Sequence, residues 1–145
     1  MKHIITLLCI LLMASSCSND DSASSQISFS EITKESFTTD KKMPKSNLVI
    51  KDVTAWNSLL SKISPAEVSN FKETNIDFSK YQIIAVIDMV YGNGGHTIDI
   101  TKITQNSNAI IIKVENLRTG DLTSVITQPY HIVKIAKSKK TVIFK

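Results

Sequence analysis

The sequence predicts an α+β domain: a twisted antiparallel sheet, arranged as a meander that can curl into a half-barrel, with one main helix packed on it. Three observations point there. Val53, Trp56, Leu59, Leu60 and Ile63 recur at helical spacing, which gives one apolar stripe. From Tyr81 onward the apolar period changes to two. Turn-forming residues then interrupt the chain at short intervals up to Phe144, and strands joined by short turns are expected to pair as antiparallel neighbours.

In order along the chain, Ile27, Phe29 and Ile32 mark a short first strand and residues 47–50 a second, with Lys41, Lys42, Met43 and Pro44 breaking the pattern between them. Asp52 is placed to cap the helix over residues 53–63, since a short carboxylate can accept from the free amides of a first helical turn. The stripe makes Trp56, the only tryptophan, a core anchor in preference to a ligand platform. Ser64, Pro65, Ala66 and Glu67 form a capping box with proline in the first helical position, which predicts a second short helix ending near Phe71.

Residues 83–90 are apolar apart from Asp88, as in a central strand covered on at least one face by a helix. Gly92, Asn93, Gly94 and Gly95 supply a turn, after which Ile98 and Ile100 share a face. Residues 105–108 turn again, and Ile110, Ile112 and Val114 form the next inward face. Arg118, Thr119, Gly120 and Asp121 make another turn; strands over 125–135 and 141–144 close the meander, joined by a hairpin tip at 137–140.

The N-terminal segment predicts location. Met1, Lys2 and His3 form a short basic start, residues 4–13 are apolar apart from Thr6, and Ala14, Ser15 and Ser16 lead into Cys17. An apolar run of about ten residues is half of what spans a bilayer as a helix, so this is an export signal and not a membrane span. Small residues before a cysteine are the layout of a bacterial lipoprotein signal, in which the thiol of Cys17 takes the lipid. The expected division is a signal peptide at 1–16, a polar tether at 17–26 and a single domain at 27–145. The tether resembles the acidic segment that follows the lipidated cysteine in surface-exported lipoproteins of the Bacteroidetes group; a plain solvated linker is the other reading. The expected location is the cell envelope, anchored by lipid, with the outer membrane as the default.

Composition narrows the function. Of 17 basic residues 16 are lysine, and they are scattered without an interleaved aromatic stripe, so no nucleic-acid partner is expected. Loss of residues 1–16 leaves 145 − 16 = 129 residues and a charge of 16 − 13 = +3, and both cysteines lie outside the domain, one in the signal and one at the anchor. The domain therefore holds no disulfide, thiolate nucleophile or cysteine metal site.

Asp77, Phe78, Ser79 and Lys80, the apolar strand after them, the run from Gly94, Gly95 and His96 to Ile100, and above all Thr127, Gln128, Pro129, Tyr130, His131, Ile132, Val133, Lys134 and Ile135 resemble the C-terminal domain of the PrcB family of protease-complex subunits. The resemblance covers roughly residues 49–144. The family usually has an aromatic residue after the glycine pair, where this chain has His96. Its members are small exported proteins, often lipoproteins, named for one that assembles with a secreted protease. The resemblance implies a binding accessory without catalysis of its own.

The residues themselves offer little to an enzyme. His131 shares a strand face with Val133 and Ile135 and reads as a partly buried, satisfied histidine; His96 follows a glycine turn and reads as an exposed loop residue. No spacing of histidines suits a metal, no Gly-x-Ser-x-Gly elbow is present, and the glycine loop opens no helix that could hold phosphate. No cofactor and no metal are expected. Asp88 and Asp99 flank one turn and read as solvated carboxylates.

Three functional readings remain, in this order. The first is a tethered accessory, held to membrane lipid through Cys17, that binds another exported protein such as a protease. Its expected contact residues are Gly94, Gly95, His96, Gln128, Pro129, Tyr130 and His131, because proline interrupts a ladder and leaves backbone groups and the Tyr130 ring open to a partner. The second is a protease inhibitor using the loop from Tyr91 to His96, and the third a small hydrolase or ligand-binding protein.

Overall fold

The computed structural model describes residues 24–37 and 42–145; Cys17 and the expected signal lie outside the described residues. The elements are β1 (Ser25–Gln26), β2 (Ser30–Phe37), β3 (Ser46–Ile50), α1 (Val53–Leu60), α2 (Pro65–Val68), β4 (Tyr81–Ile87), β5 (Asp99–Gln105), β6 (Ala109–Glu115), β7 (Gln128–Ala136) and β8 (Thr141–Phe144). The fold class is α+β, sheet with one main helix, as expected. Both short helices start where the caps place them. Asp52 accepts from Ala55 N at 2.8 Å, and Ser64 and Glu67 cap each other reciprocally. α2 is shorter than expected and ends at Val68, with Phe71 buried in the following turn.

The strands form two sheets in place of one meander, with orders β1-β5-β6-β8 and β2-β7-β4-β3. The reason lies in β4 and β7. Ile83, Ala85 and Ile87 of β4 and Tyr130 and Ile132 of β7 pack on one side with Trp56, Leu59, Ile63 and Phe71; Ile84, Val86, Val133 and Ile135 pack on the other with Ile98, Ile103, Ile110 and Ile112. One helix covers only one face, so a sheet with two apolar faces needs a second layer, and β5 and β6 provide it. The molecule is thus three layers deep: helix, central sheet, outer sheet. Both cores draw on residues between Ile27 and Phe144.

This layering corrects two expectations. Residues 137–140 are not a hairpin tip: β8 leaves β7 and pairs in parallel with β6, so the segment crosses between sheets. Gln82 Oε1 accepts from Ser138 N, and the Lys140 ammonium bonds Gln105 and the Asn106 carbonyl, which fastens the crossing. At the other end of the chain, Ser25 and Gln26 pair with Gln105 and Thr104, so the last two residues of the expected tether already belong to the outer sheet.

Trp56 is the helix-to-sheet anchor, 1% exposed, with its indole N–H donating to the Thr74 carbonyl at 2.8 Å. Phe37 stacks on Tyr130 at 4.1 Å, and Phe71 lies between Tyr130 and Trp56, so this core is aromatic where the inter-sheet core is aliphatic.

Candidate functional site

At one pole of the sandwich, loop 88–98 carries the chain from the central to the outer sheet and loop 116–127 carries it back. Two aspartates, read from sequence as solvated, are buried there: Asp88 at 1% and Asp99 at 3% exposure. Each is surrounded by donors. Asp88 Oδ2 accepts from the Tyr91 hydroxyl at 2.8 Å and Asn116 Nδ2 at 2.6 Å, while the Lys45 ammonium lies 2.9 Å from Oδ1. Asp99 holds Lys34 at 2.6 Å, the Thr97 hydroxyl at 2.6 Å and Leu117 N at 3.3 Å. Burial alone would raise both carboxyl pKa values, but the facing ammonium groups and hydrogen bonds outweigh it and hold both below the usual 3.8. Tyr91, half-buried beside the Asp88 charge, is pushed up to about 12 by its partial desolvation and that charge, and stays a donor.

The glycine loop is folded inward. His96 stacks on Tyr91 at 3.6 Å, and its Nε2 meets Asn93 Oδ1 at 3.0 Å. Asn93 Nδ2 donates to the Asp121 carbonyl, Asp121 N to the Gly94 carbonyl and Gly94 N to the Thr123 carbonyl, so the two loops are laced together. Gly95 and Gly120 have φ of 72° and 105°, and a Cβ at either would fall 2.6 Å from Asp121 Oδ2 or 2.5 Å from His96 Nε2. Only glycine permits both the left-handed backbone and the close approach. Asp121 accepts from the amide and hydroxyl of Thr123, which lowers its pKa and closes the turn under Leu122.

The other half of the expected contact region is interior, and its contact role is corrected here. Gln128 is 1% exposed and works as a clamp: Oε1 accepts from Met43 N at 2.9 Å, and Nε2 donates to the carbonyls of Met43 and Asp88. Pro129 does not open the ladder, because its carbonyl accepts from Asp88 N at 2.9 Å and it pairs with Ser36. Tyr130, 1% exposed and stacked between aromatic rings, offers nothing to a partner. Burial pushes its phenol up to about 12.

His131 points between the sheets as its strand face requires. Its Nδ1 accepts from Ile100 N at 2.9 Å, which puts the neutral ring's proton on Nε2. β1 reaches only as far as Thr104 along that edge of β5, so the imidazole supplies the acceptor the ladder lacks there. Burial lowers the pKa below 6.5 against the opposing pull of Glu31, whose Oε2 lies 3.5 Å from Nε2. The histidine is neutral and structural.

Among the side chains the pole exposes are five apolar ones, interspersed with exposed Asn116, Arg118, Thr119, Asp121, Thr123 and Ser124. Met89, Leu117, Leu122, Val125 and Ile126 are all about half exposed or more, Leu122 fully. They follow Asp88 or sit in loop 116–127, among residues whose backbones are braced by the bonds above. Sequence reading placed Met89 in the strand over 83–90 and Val125 and Ile126 in the strand over 125–135, but β4 ends at Ile87 and β7 begins at Gln128, so these three fall in the loops. For Leu117 and Leu122 the available signal was two leucines inside a polar run with no strand or helix face to bury them.

Beside the pole, a cleft of about 220 Å³ is lined by Lys34, Glu35, Ser36, Gly95, His96, Thr97 and Thr127. His131 is not among its walls, so the two histidines are not brought together. Among the described residues no group of three or more histidine, cysteine or acidic side chains is arranged to hold a metal ion, and no helix is long and apolar enough to cross a membrane. No family model, curated protein or solved structure matches the chain.

Proposed function

We propose that this chain is an exported, lipid-anchored binding accessory that engages another exported protein through the loop pole. The observation that carries the reading is the set of exposed apolar side chains, Met89, Leu117, Leu122, Val125 and Ile126, held on hydrogen-bonded loops. Exposed apolar groups collected in one place mark contact surfaces, and loops already fixed lose little entropy on binding. The anchor favours the same geometry. Ser25 pairs with Gln105 at the far end of β5, seven residues and about 20 Å from the loops at Asp99. A tether leaving β1 toward a lipid on Cys17 leaves the loop pole at the opposite end. The resemblance of residues 127–135 to PrcB subunits makes a protease the first partner to test.

Of the first-named contact residues, Gly94, Gly95 and His96 keep a supporting part, as the floor on which residues 121–126 rest. The inhibitor reading moves accordingly, from the Tyr91 to His96 loop to the braced turn at Leu122, whose full exposure suits insertion into a cleft.

The test is a photo-crosslinking amino acid at Leu122 or Ile126 of the full-length chain in its own envelope, with Ser58 on the outer side of α1 as the control. One identified protein should crosslink at the pole and not at Ser58, and the double change Leu122→Asp, Ile126→Asp should lower its capture tenfold or more. Equal capture by parent and variant removes the pole as the binding surface. If the partner is a protease, loss of its activity on adding the chain selects the inhibitor form. For the anchor, Cys17→Ala should move the protein out of the membrane pellet, and an unchanged pellet would end the lipidation reading.

A further inference from the structure

The outer sheet has a second face that no core uses. Its inward side chains, Ile103, Ile110 and Ile112, fill the inter-sheet core, and the alternation of β5, β6 and β8 turns Lys102, Thr104, Ile111, Lys113 and Ile143 outward. A shallow groove of about 380 Å³ runs along this face, with Lys102, Lys113, Lys145, Ile111 and Ser24 in its walls. Lys145 is held there by its backbone: its N–H donates to the Ile112 carbonyl at 2.9 Å, and its carbonyl accepts from Val114 N at 2.7 Å. Three lysines thus share one groove on a rigid sheet. Glu115, 3.0 Å from Lys113, offsets part of the charge.

Ser24 also lines this groove, and it is the point where the described chain meets the tether. From Cys17 it is 24 − 17 = 7 residues, which at full extension reach no more than about 25 Å. A chain held by lipid at Cys17 therefore keeps this face within that distance of the bilayer.

We infer that the lysine-bearing outer face of the β1-β5-β6-β8 sheet lies against the anionic phosphate headgroups of the membrane that anchors the protein. This rests on the anchor reading for proximity, and on the groove's own charge for the contact. Lysine heads meet the phosphates, with their stems and Ile111 and Ile143 in the interfacial layer. The strands then lie along the surface, and the loop pole projects at the end away from the tether. A short tether with such a face fixes orientation, where a short tether alone would let the domain tumble.

Two experiments test it. The chain from residue 17 carrying Cys17→Ala has no cysteine, so single cysteines at Thr104 or Leu122 can bear a fluorophore. With vesicles containing about a third phosphatidylglycerol and a headgroup quencher, the label at Thr104 should be quenched and that at Leu122 much less. Pure phosphatidylcholine should quench neither, and raised salt should remove the effect. Changing Lys102, Lys113 and Lys145 to Gln should lower vesicle binding about fivefold per lysine. Equal quenching at both sites, or binding indifferent to lipid charge, overturns the proposal, as does protection of Thr104 without vesicles, which would assign the face to a second copy. Because these chains carry no lipid, the outcome stands apart from the anchor itself, which the cell fractionation of Cys17→Ala decides.

Discussion

Loop 92–96 (Gly92, Asn93, Gly94, Gly95, His96) and strand segment 128–131 (Gln128, Pro129, Tyr130, His131) each combine turn-forming or polar residues with a histidine. Both read from sequence as one contact region. They meet in space, since Thr127 and Tyr91 exchange backbone bonds and Gln128 holds the Asp88 carbonyl. Their work differs. In the strand, Gln128 and His131 satisfy backbone groups that the layering would strand: Gln128 those of Met43 and Asp88, His131 that of Ile100. In the loop, the polar groups lace one turn to another, and five apolar side chains stand among the exposed residues above them. A polar residue on a strand buried on both faces is therefore better read as the mate of an unpaired backbone group than as a binding residue.

The largest effect that could break this contrast is at Tyr130. Tyr130→Ala should cost about 3–5 kcal/mol in a denaturant titration, close to the loss expected for Trp56→Ala in the same core. A midpoint near the parent's would put the ring outside and restore it as a contact. Gln128→Ala comes next, at about 2–3 kcal/mol, because it leaves buried groups at Met43 and Asp88 without partners. Gln128→Glu should recover less than half, since a carboxylate cannot donate to the two carbonyls. Full recovery would mean that the amide's donor side is idle.

His131 sharpens the comparison through pH. Its folded pKa lies below the usual 6.5, so as pH falls below about 6.5 the unfolded chain takes up a proton that the folded chain refuses, and stability drops. The contribution is whole above 6.5 and is lost as pH falls from there through the folded pKa. Glu31, Lys34, Lys72 and Asp99 all act on this ring. The lowered pKa values of Asp88 and Asp99 act lower down, with stability lost as pH falls through and below 3.8. Denaturant midpoints at pH 8, 6.5 and 5 should show the first drop, and His131→Gln, which keeps an acceptor for Ile100 N, should flatten it. A parent equally stable at all three values would mean a solvated imidazole. The smallest stability change belongs to Leu122→Asp, within about 0.5 kcal/mol, since a fully exposed side chain loses no packing. That variant separates binding from folding in the capture experiment.

Much of the fold was legible. Asp52 and the Ser64 to Glu67 box marked both helix starts, the 3.6-residue stripe found Trp56, and β8 appeared at residues 141–144 as expected. The burial of His131 followed from strand alternation. Less was legible of the pole. Asp88 and Asp99 looked solvated because the ammonium groups of Lys45 and Lys34 that pair with them, and the Asn116 amide that donates to Asp88, are 28 to 65 residues distant in sequence. Tyr130 looked available because a proline precedes it, and nothing local announces that Phe37 and Phe71 close over the ring.

The sequence by itself determined both helix starts with their caps, the Trp56 stripe and the inward faces of β5 and β6, because these depend on spacing and on side chains a few residues apart; the expected first strand at Ile27, Phe29 and Ile32 is instead the link between β1 and β2 and the start of β2. It also carried the export signal and Cys17 as expectations about location. The tertiary structure alone decided that the strands divide into two sheets with β8 parallel to β6, that two aspartates and a glutamine face inward, and that Leu122 and its neighbours face out. Those outcomes depend on covering both faces of β4 and β7 and on supplying partners to most buried polar groups. Both are sums over the whole chain that no local window contains.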